Sequence, residues 1–140
     1  MDTAQLDELA RIIRDFGTRF AKEAREQSLS GADFTKREIM AISAVGGDDP
    51  IKIGDLATLL GVGQSAITPL VDDLEKRGLM ERQRSSEDRR IWLLALTSKG
   101  RKAYRQIHDG YRSMASAMLA PLNEKERAQL ISLLSKMEFE

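Results

Sequence analysis

The chain has 140 residues, 41% hydrophobic and 31% charged, with 22 basic and 22 acidic side chains and no cysteine. That is enough for the modest core of one globular unit, and the lack of cysteine excludes disulfides, thiolate zinc sites, cysteine nucleophiles and thiol redox sensing. Charges run through the first 30 residues, which argues against a secretory signal or membrane span there, so a cytoplasmic protein with no membrane partner is expected.

Net charge is zero and the pI about 6.6, which does not match the strongly basic domain usual for nucleic-acid binding. The distribution is uneven, however. Residues 1–75 hold 8 basic and 14 acidic side chains, a net of −6, whereas residues 76–105 hold 10 basic and 3 acidic, a net of +7. The remaining residues, 106–140, come to −1. One short segment therefore carries nearly all the positive potential.

In chain order, residues 4–27 predict a helix with Leu6, Leu9, Ile13, Phe16 and Phe20 at alternating spacings of three and four, one apolar stripe. "SLSGADF" breaks it. Thr35 and Glu38 form a capping box for a helix through Ile39, Met40 and Ile42, which "VGGDDP" stops. Residues 53–60 and 64–77 predict two short helices separated by "GVG", with Gly78 ending the second. Two helices joined by a short glycine-containing turn are a helix-turn-helix. Residues 79–84 and 90–96 predict strands, the second the bulky "RIWLLAL". Thr97 is placed to cap a helix over 98–119 bearing Tyr104, Ile107, Tyr111, Met114 and Met118. Asn123 and Glu126 make a second capping box for a last helix with Leu130, Leu133, Leu134 and Met137.

A helix-turn-helix followed directly by a two-stranded hairpin is a winged helix. The fold class expected is therefore mainly α (α+β). The second helix of the pair can enter a major groove with its N-terminal side chains at base edges. The hairpin tip carries Glu87, Asp88, Arg89 and Arg90. A narrow minor groove attracts an inserted arginine, and ordering a free arginine costs roughly 2 kcal/mol of rotamer entropy. Asp88, two residues from Arg90, can hold the guanidinium and lower that cost.

With these elements in place, residues 35–104 resemble the MarR family of bacterial transcription regulators. The matching pieces are "GDLATLLGV", "SAITPLVDDLEKRGLMER" and "SSEDRRIWLLALTSKGR". The last holds Asp88, Arg90, Leu96, Thr97, Gly100 and Arg101, the Asp-x-Arg wing and Leu-Thr-x-x-Gly-Arg helix start of that family. The resemblance implies one MarR-type domain over 1–140, its winged helix-turn-helix at about 35–100 and dimerisation helices at about 4–27 and 98–139. It also implies a homodimer on the double-stranded DNA of a pseudo-palindromic operator. Leu6, Leu9, Ile13, Met118, Leu130, Leu133, Leu134 and Met137 are the expected interface, since these stripes exceed what one small winged helix can cover.

Two features depart from the family pattern. The recognition helix has no lysine or arginine in its first two turns, so its readers would be Gln64, Ser65, Ala66, Thr68 and Pro69, with affinity drawn from Arg89, Arg90, Lys36, Arg37 and Arg82. Lys52 stands where a serine or threonine cap is expected for the first helix of the pair. The family also implies a small aromatic or phenolic effector, for which helix facing suggests Phe16, Phe20, Met40, Tyr104, His108 and Tyr111; ordinary packing is the competing role for each. Neither a catalytic triad, a phosphate loop nor a metal cluster is legible, so neither enzymatic activity nor a cofactor is expected. The expectation is a homodimeric DNA-binding regulator, a repressor released by an effector. The rival is a winged-helix protein-interaction module without tight DNA binding, suggested by the neutral net charge and the uncharged recognition helix.

Overall fold

The computed structural model of the protein describes residues 2–26, 34–47 and 50–137. Residue 27 of the first expected helix, most of the expected break at 28–34, Asp48 and Asp49 of the second stop, and the end of the 98–139 span lie outside the described residues.

Helix α1 (Thr3–Glu26) follows the three-and-four apolar spacing. Helix α2 (Lys36–Val45) opens at Thr35, whose hydroxyl accepts from the Glu38 N–H while the Glu38 carboxylate accepts from the Thr35 N–H at 2.7 Å. Ile51–Lys52 then form a short strand, β1, that the sequence pattern did not reveal. Two residues show no alternation; this strand exists because Ile51 and Lys52 pair with Leu94 and Leu93 far along the chain. Helix α3 (Ile53–Leu60) follows with Lys52 in extended backbone at its start and no side-chain cap, as the sequence suggested.

Two glycines turn the chain with φ near +65 to +70°, a conformation that disfavours side chains. At Gly61 (φ 64°) the Gly61 and Val62 N–H groups donate to Thr58 and Ala57, closing α3. Helix α4 (Gln64–Lys76) ends the same way at Gly78 (φ 71°), where Gly78 and Leu79 donate to Glu75 and Leu74. Strands β2 (Met80–Arg84) and β3 (Trp92–Leu96) then pair antiparallel with Met80 opposite Leu96 and Arg84 opposite Trp92. The sheet order is β1-β3-β2. The expected second strand began at 90; residues 85–91 instead form the tip. Helix α5 (Ser98–Leu119) and helix α6 (Glu124–Leu134), the latter with its Asn123–Glu126 capping box, complete a mainly helical winged helix-turn-helix.

The core is built from α2, α3, α4, β3 and α5, through the fully buried Ile42, Leu56, Ile67, Val71, Leu74, Leu94 and Met114. Two close approaches set its shape. A Cβ at Gly46 would collide with the Tyr104 ring, so glycine there lets α5 lie against the end of α2. A Cβ at Gly100 would collide with the Leu79 carbonyl. Beside it, the Thr97 hydroxyl donates to the Gly78 carbonyl at 2.6 Å and accepts from the Gly100 N–H at 3.0 Å. The Thr97 N–H donates to Leu79, and Lys99 Nζ donates to the Arg77 carbonyl at 2.8 Å. The start of α5 is thereby stitched to the junction between α4 and β2.

Much apolar surface stays outside this core. Leu6, Leu9, Ile12, Ile13 and Phe16 on α1, with Ile131, Leu133, Leu134 and Met137 at the C-terminal end, are 45–66% exposed. Leu130 is half-buried. Met118, grouped by sequence with the interface stripes, is half-buried and packs against the core of its own chain. Among the described residues, no helix is long and apolar enough to cross a membrane.

Because Gly100 has no room for a methyl group, Gly100→Ala should destabilise the protein by about 1–3 kcal/mol, the usual scale of overpacking. Thermal unfolding of the variant checks this; an unchanged midpoint would mean that α5 can slide away from Leu79 freely.

Candidate nucleic-acid interface

Helix α4 divides into two faces. Ile67, Val71 and Leu74 are buried, while Gln64, Ser65, Thr68 and Pro69 are exposed and Ala66 is half-buried. Helical spacing places 64, 65, 68 and 69 side by side at the N-terminal end. No side chain caps the first turn, and the positive end of the helix dipole is left facing outward, as an approaching phosphate requires. The Thr68 hydroxyl donates back to the Gln64 carbonyl at 3.1 Å, so Thr68 presents its methyl group and the hydroxyl lone pairs. Pro69, which supplies no N–H, sits inside the helix without ending it.

The hairpin tip is an ordered structure. Ser85 N–H donates to Ile91, Ile91 N–H donates to Asp88, and the Ser85 hydroxyl accepts from Glu87 at 3.2 Å. Asp88 grips Arg90 at three points. Arg90 Nε donates to Oδ1 at 3.1 Å, its terminal nitrogen to Oδ2 at 3.1 Å, and its backbone N–H to Oδ1 at 3.0 Å. The side chain of Arg90 is nonetheless 91% exposed. The Arg90 side chain, and then its backbone N–H, hold the Asp88 carboxyl below its ordinary range, so the grip persists at neutral pH. Arg89 is exposed beside it. Sequence reasoning missed Arg84, whose guanidinium lies 3.9 Å over the Trp92 ring and donates to the Arg89 carbonyl at 2.6 Å. The signal was the cross-strand pairing of 84 with 92, which needs the register.

The other basic residues expected at the interface stand differently. Arg82 is bound to Asp72 at 2.9 Å and Glu75 at 3.0 Å. Its charge joins β2 to α4 and neutralises the acidic flank of that helix, which is why it does not stand free for a phosphate. Lys36 and Arg37 are exposed at the start of α2. The neighbouring Glu38 binds Arg77, the residue capping the C-terminal end of α4, at 3.0 Å. Lys36 and Arg37 therefore emerge near the end of α4 that lies roughly 18 Å from Gln64 by helical rise. Arg77 also covers the Phe34 ring at 4.8 Å.

Burial works against ionisation of Glu38, yet the Thr35 N–H and the Arg77 guanidinium outweigh it and lower its pKa. Glu38 is the one buried charged side chain among the described residues.

The six residues proposed for an effector fall into separate groups. Phe16, Phe20 and Tyr111 form an aromatic file with ring centroids 6.3 and 6.2 Å apart. Phe16 also lines an open groove of about 870 Å3 between α1 and the end of α5, with Ile12, Arg19, Lys22 and Met118. Tyr104 and His108, 6.0 Å apart, line a smaller groove of about 350 Å3 with Arg105, Asp109 and Arg112. Met40 is exposed on α2. The structure does not bring the six into one cavity.

A carboxylate with a lowered folded pKa contributes stability that is present above its unfolded pKa and lost as pH falls through the folded value. Glu38→Gln should therefore cost about 1–2 kcal/mol at neutral pH, with the deficit shrinking below about pH 4, the ordinary carboxylate range. Denaturant titrations of both proteins at several pH values check the sign; a deficit independent of pH would remove the ionised Glu38 from the account.

Residues 34–92 match the model of the MarR family. The chain is 24% identical over 111 residues to the HTH-type transcriptional repressor MdtR of Bacillus subtilis, covering 79% of this chain and 72% of that protein. It spans little more than half the length of some other curated relatives, 54% in one and 58% in another. A MarR family protein from Bacillus stearothermophilus superposes with a TM-score of 0.86 at 20% identity, over 97% of this chain and 94% of that one. Streptococcus pneumoniae FabT, solved in complex with DNA, superposes with a TM-score of 0.72 at 24% identity, over 96% of this chain and 94% of that one. At those identities the two structures speak for the winged-helix fold. Residues 34–92, from the start of α2 through the wing, thus match the MarR family, and the winged-helix fold is shared along nearly the whole chain.

Proposed function

We propose that the protein is a homodimeric, sequence-specific DNA-binding transcriptional regulator, a repressor whose operator complex is released by a small-molecule effector. The observation that carries this reading is Arg90: fully presented to solvent at the wing tip, yet held in one orientation by Asp88. An arginine with its rotamer entropy already restrained is suited to a narrow, negative minor groove. On the same side of the reading, the uncapped end of α4 presents Gln64, Ser65, Ala66, Thr68 and Pro69. Gln64 can hydrogen-bond adenine, and the small neighbours admit thymine methyls. Arg89 and Arg90 supply charge that this helix lacks. The repressor sense follows MdtR, and the DNA partner follows FabT, each by the description of that protein.

The whole chain is read as one unit, with residues 35–100 on DNA and the helices at 4–27 and 98–139 forming the dimer. Support comes from the exposed apolar stripes of α1 and the C-terminal end, which a monomer would leave in water. Leu6, Leu9, Ile13, Leu133, Leu134 and Met137 are the contacts we assign to it, with Leu130 at its margin. An aromatic effector would use Phe16, Phe20 and Tyr111, the three members of the expected set that stack in one file. No catalytic role is proposed; the matched curated relatives are regulators, and DNA in the cytoplasm is the partner. The rival reading, a protein-interaction module, keeps its support in the neutral net charge and the absence of basic residues from the first two turns of α4.

Arg90→Ala should weaken binding to an operator selected from random duplexes by roughly 1–3 kcal/mol, the scale of a groove-reading arginine, with folding and dimerisation intact. Asp88→Ala should cost less, because the arginine remains and loses only its orientation. Fluorescence anisotropy at fixed salt measures both; full affinity in Arg90→Ala would take the wing out of the mechanism. Deleting residues 121–140 should give monomer or aggregate by light scattering, and a soluble truncated dimer would put the interface elsewhere.

A further inference from the structure

The peptide unit joining Arg89 to Arg90 is held from both sides. Its N–H, that of Arg90, donates to Asp88 Oδ1 at 3.0 Å. Its carbonyl, that of Arg89, accepts from Arg84 at 2.6 Å. A peptide is planar, so fixing both ends fixes the two Cα atoms from which the Arg89 and Arg90 side chains leave the backbone. Asp88 and Arg90 belong to the motif that links this chain to its family. Arg84 lies outside that motif.

Arg84 is itself anchored. It ends β2 directly opposite Trp92, the first residue of β3, and its guanidinium lies 3.9 Å over the indole. Trp92 is the only tryptophan of the chain and is 42% exposed, so the core does not account for a ring of this size there. It serves as a platform on which a guanidinium can lie flat while its edge donates to the Arg89 carbonyl, geometry that a lysine cannot reproduce.

We propose that Arg84, stacked on Trp92, is a positioning residue of the wing, holding the Arg89 carbonyl and thereby aiming Arg89 and Arg90 at DNA. This rests on the DNA-reading role proposed above. The competing role for Arg84 is a direct phosphate contact, and the two roles separate by charge. Trp92→Leu removes the platform and leaves every charge in place.

The test uses the full chain, an operator duplex selected from a random pool, a scrambled duplex, and the variants Arg84→Ala, Trp92→Leu, Trp92→Phe and the double Arg84→Ala/Trp92→Leu. Arg84→Ala and Trp92→Leu should each lose roughly tenfold on the operator, with the double variant no worse than either, since both break one unit. Loss on the scrambled duplex should be slight, the salt slope should be kept, and Trp92→Phe should restore most of the affinity. Hydrogen exchange without DNA should be faster at the Arg90 and Ile91 amides in Arg84→Ala. Unchanged exchange overturns the bracing whether or not the protein reads DNA. Equal loss on both duplexes with a slope reduced by about one, the mark of a phosphate contact, overturns the positioning role, as does wild-type affinity in Trp92→Leu. A wild type without preference for any duplex defeats the DNA-reading role itself, and faster exchange in Arg84→Ala would then still report the brace.

Discussion

The hydroxyl of Thr97 donates to the Gly78 carbonyl and accepts from the Gly100 N–H, and the geometry of the whole interface descends from that junction. Gly78 ends α4, the helix that we propose reads bases. Leu79 leads into β2 and the wing. Gly100 lies in the first turn of α5, pressed on the Leu79 carbonyl too closely for any side chain. One hydroxyl and one missing methyl group therefore fix three things together: α4, the hairpin and the long helix α5 that leads toward the second protomer in our reading. A small motion of α5 cannot be confined to α5, because packed junctions shift as units rather than deform smoothly. In the reading proposed above, a ligand near Phe16, Phe20 and Tyr111 would act on the wing by this route.

Around that junction, charge is used mainly to hold parts in place. Arg82 ties β2 to Asp72 and Glu75 on α4. Arg77 and Glu38 tie the end of α4 to the start of α2. Arg84 and Asp88 hold the two sides of one peptide at the wing tip. The basic segment of residues 76–105 is thus less available to DNA than its net of +7 suggests. Arg89 and Arg90 stay presented together at the wing tip, while Lys76, Arg101, Lys102 and Arg105 are exposed elsewhere in the segment.

The element order was legible from the sequence because its boundaries are chemical. Thr35 with Glu38, Asn123 with Glu126, Thr97, Gly61 and Gly78 each fix a helix end through bonds made within a few residues. The Asp88–Arg90 grip was legible for the same reason, two residues apart on a tight tip. What escaped was made by distance. The two-residue β1 exists only through Leu93 and Leu94. Arg82 looked free because its partners lie 7 and 10 positions earlier on another element. Arg84 looked like any strand-end charge until register set it opposite Trp92. Met118 carried the same periodicity as its neighbours, and only packing shows it half-buried against the core.

The central claim is that α4 and the wing together read DNA, α4 through uncharged side chains and the wing through two arginines. It is tested most directly by titrating wild type and a Gln64→Ala/Ser65→Ala variant with operator and scrambled duplex over a range of salt. Phosphate contacts position and base contacts specify, so the variant should lose most of its preference for operator while keeping its salt slope, since no charge has been removed. An unchanged ratio of specific to non-specific affinity in a folded variant would contradict the claim.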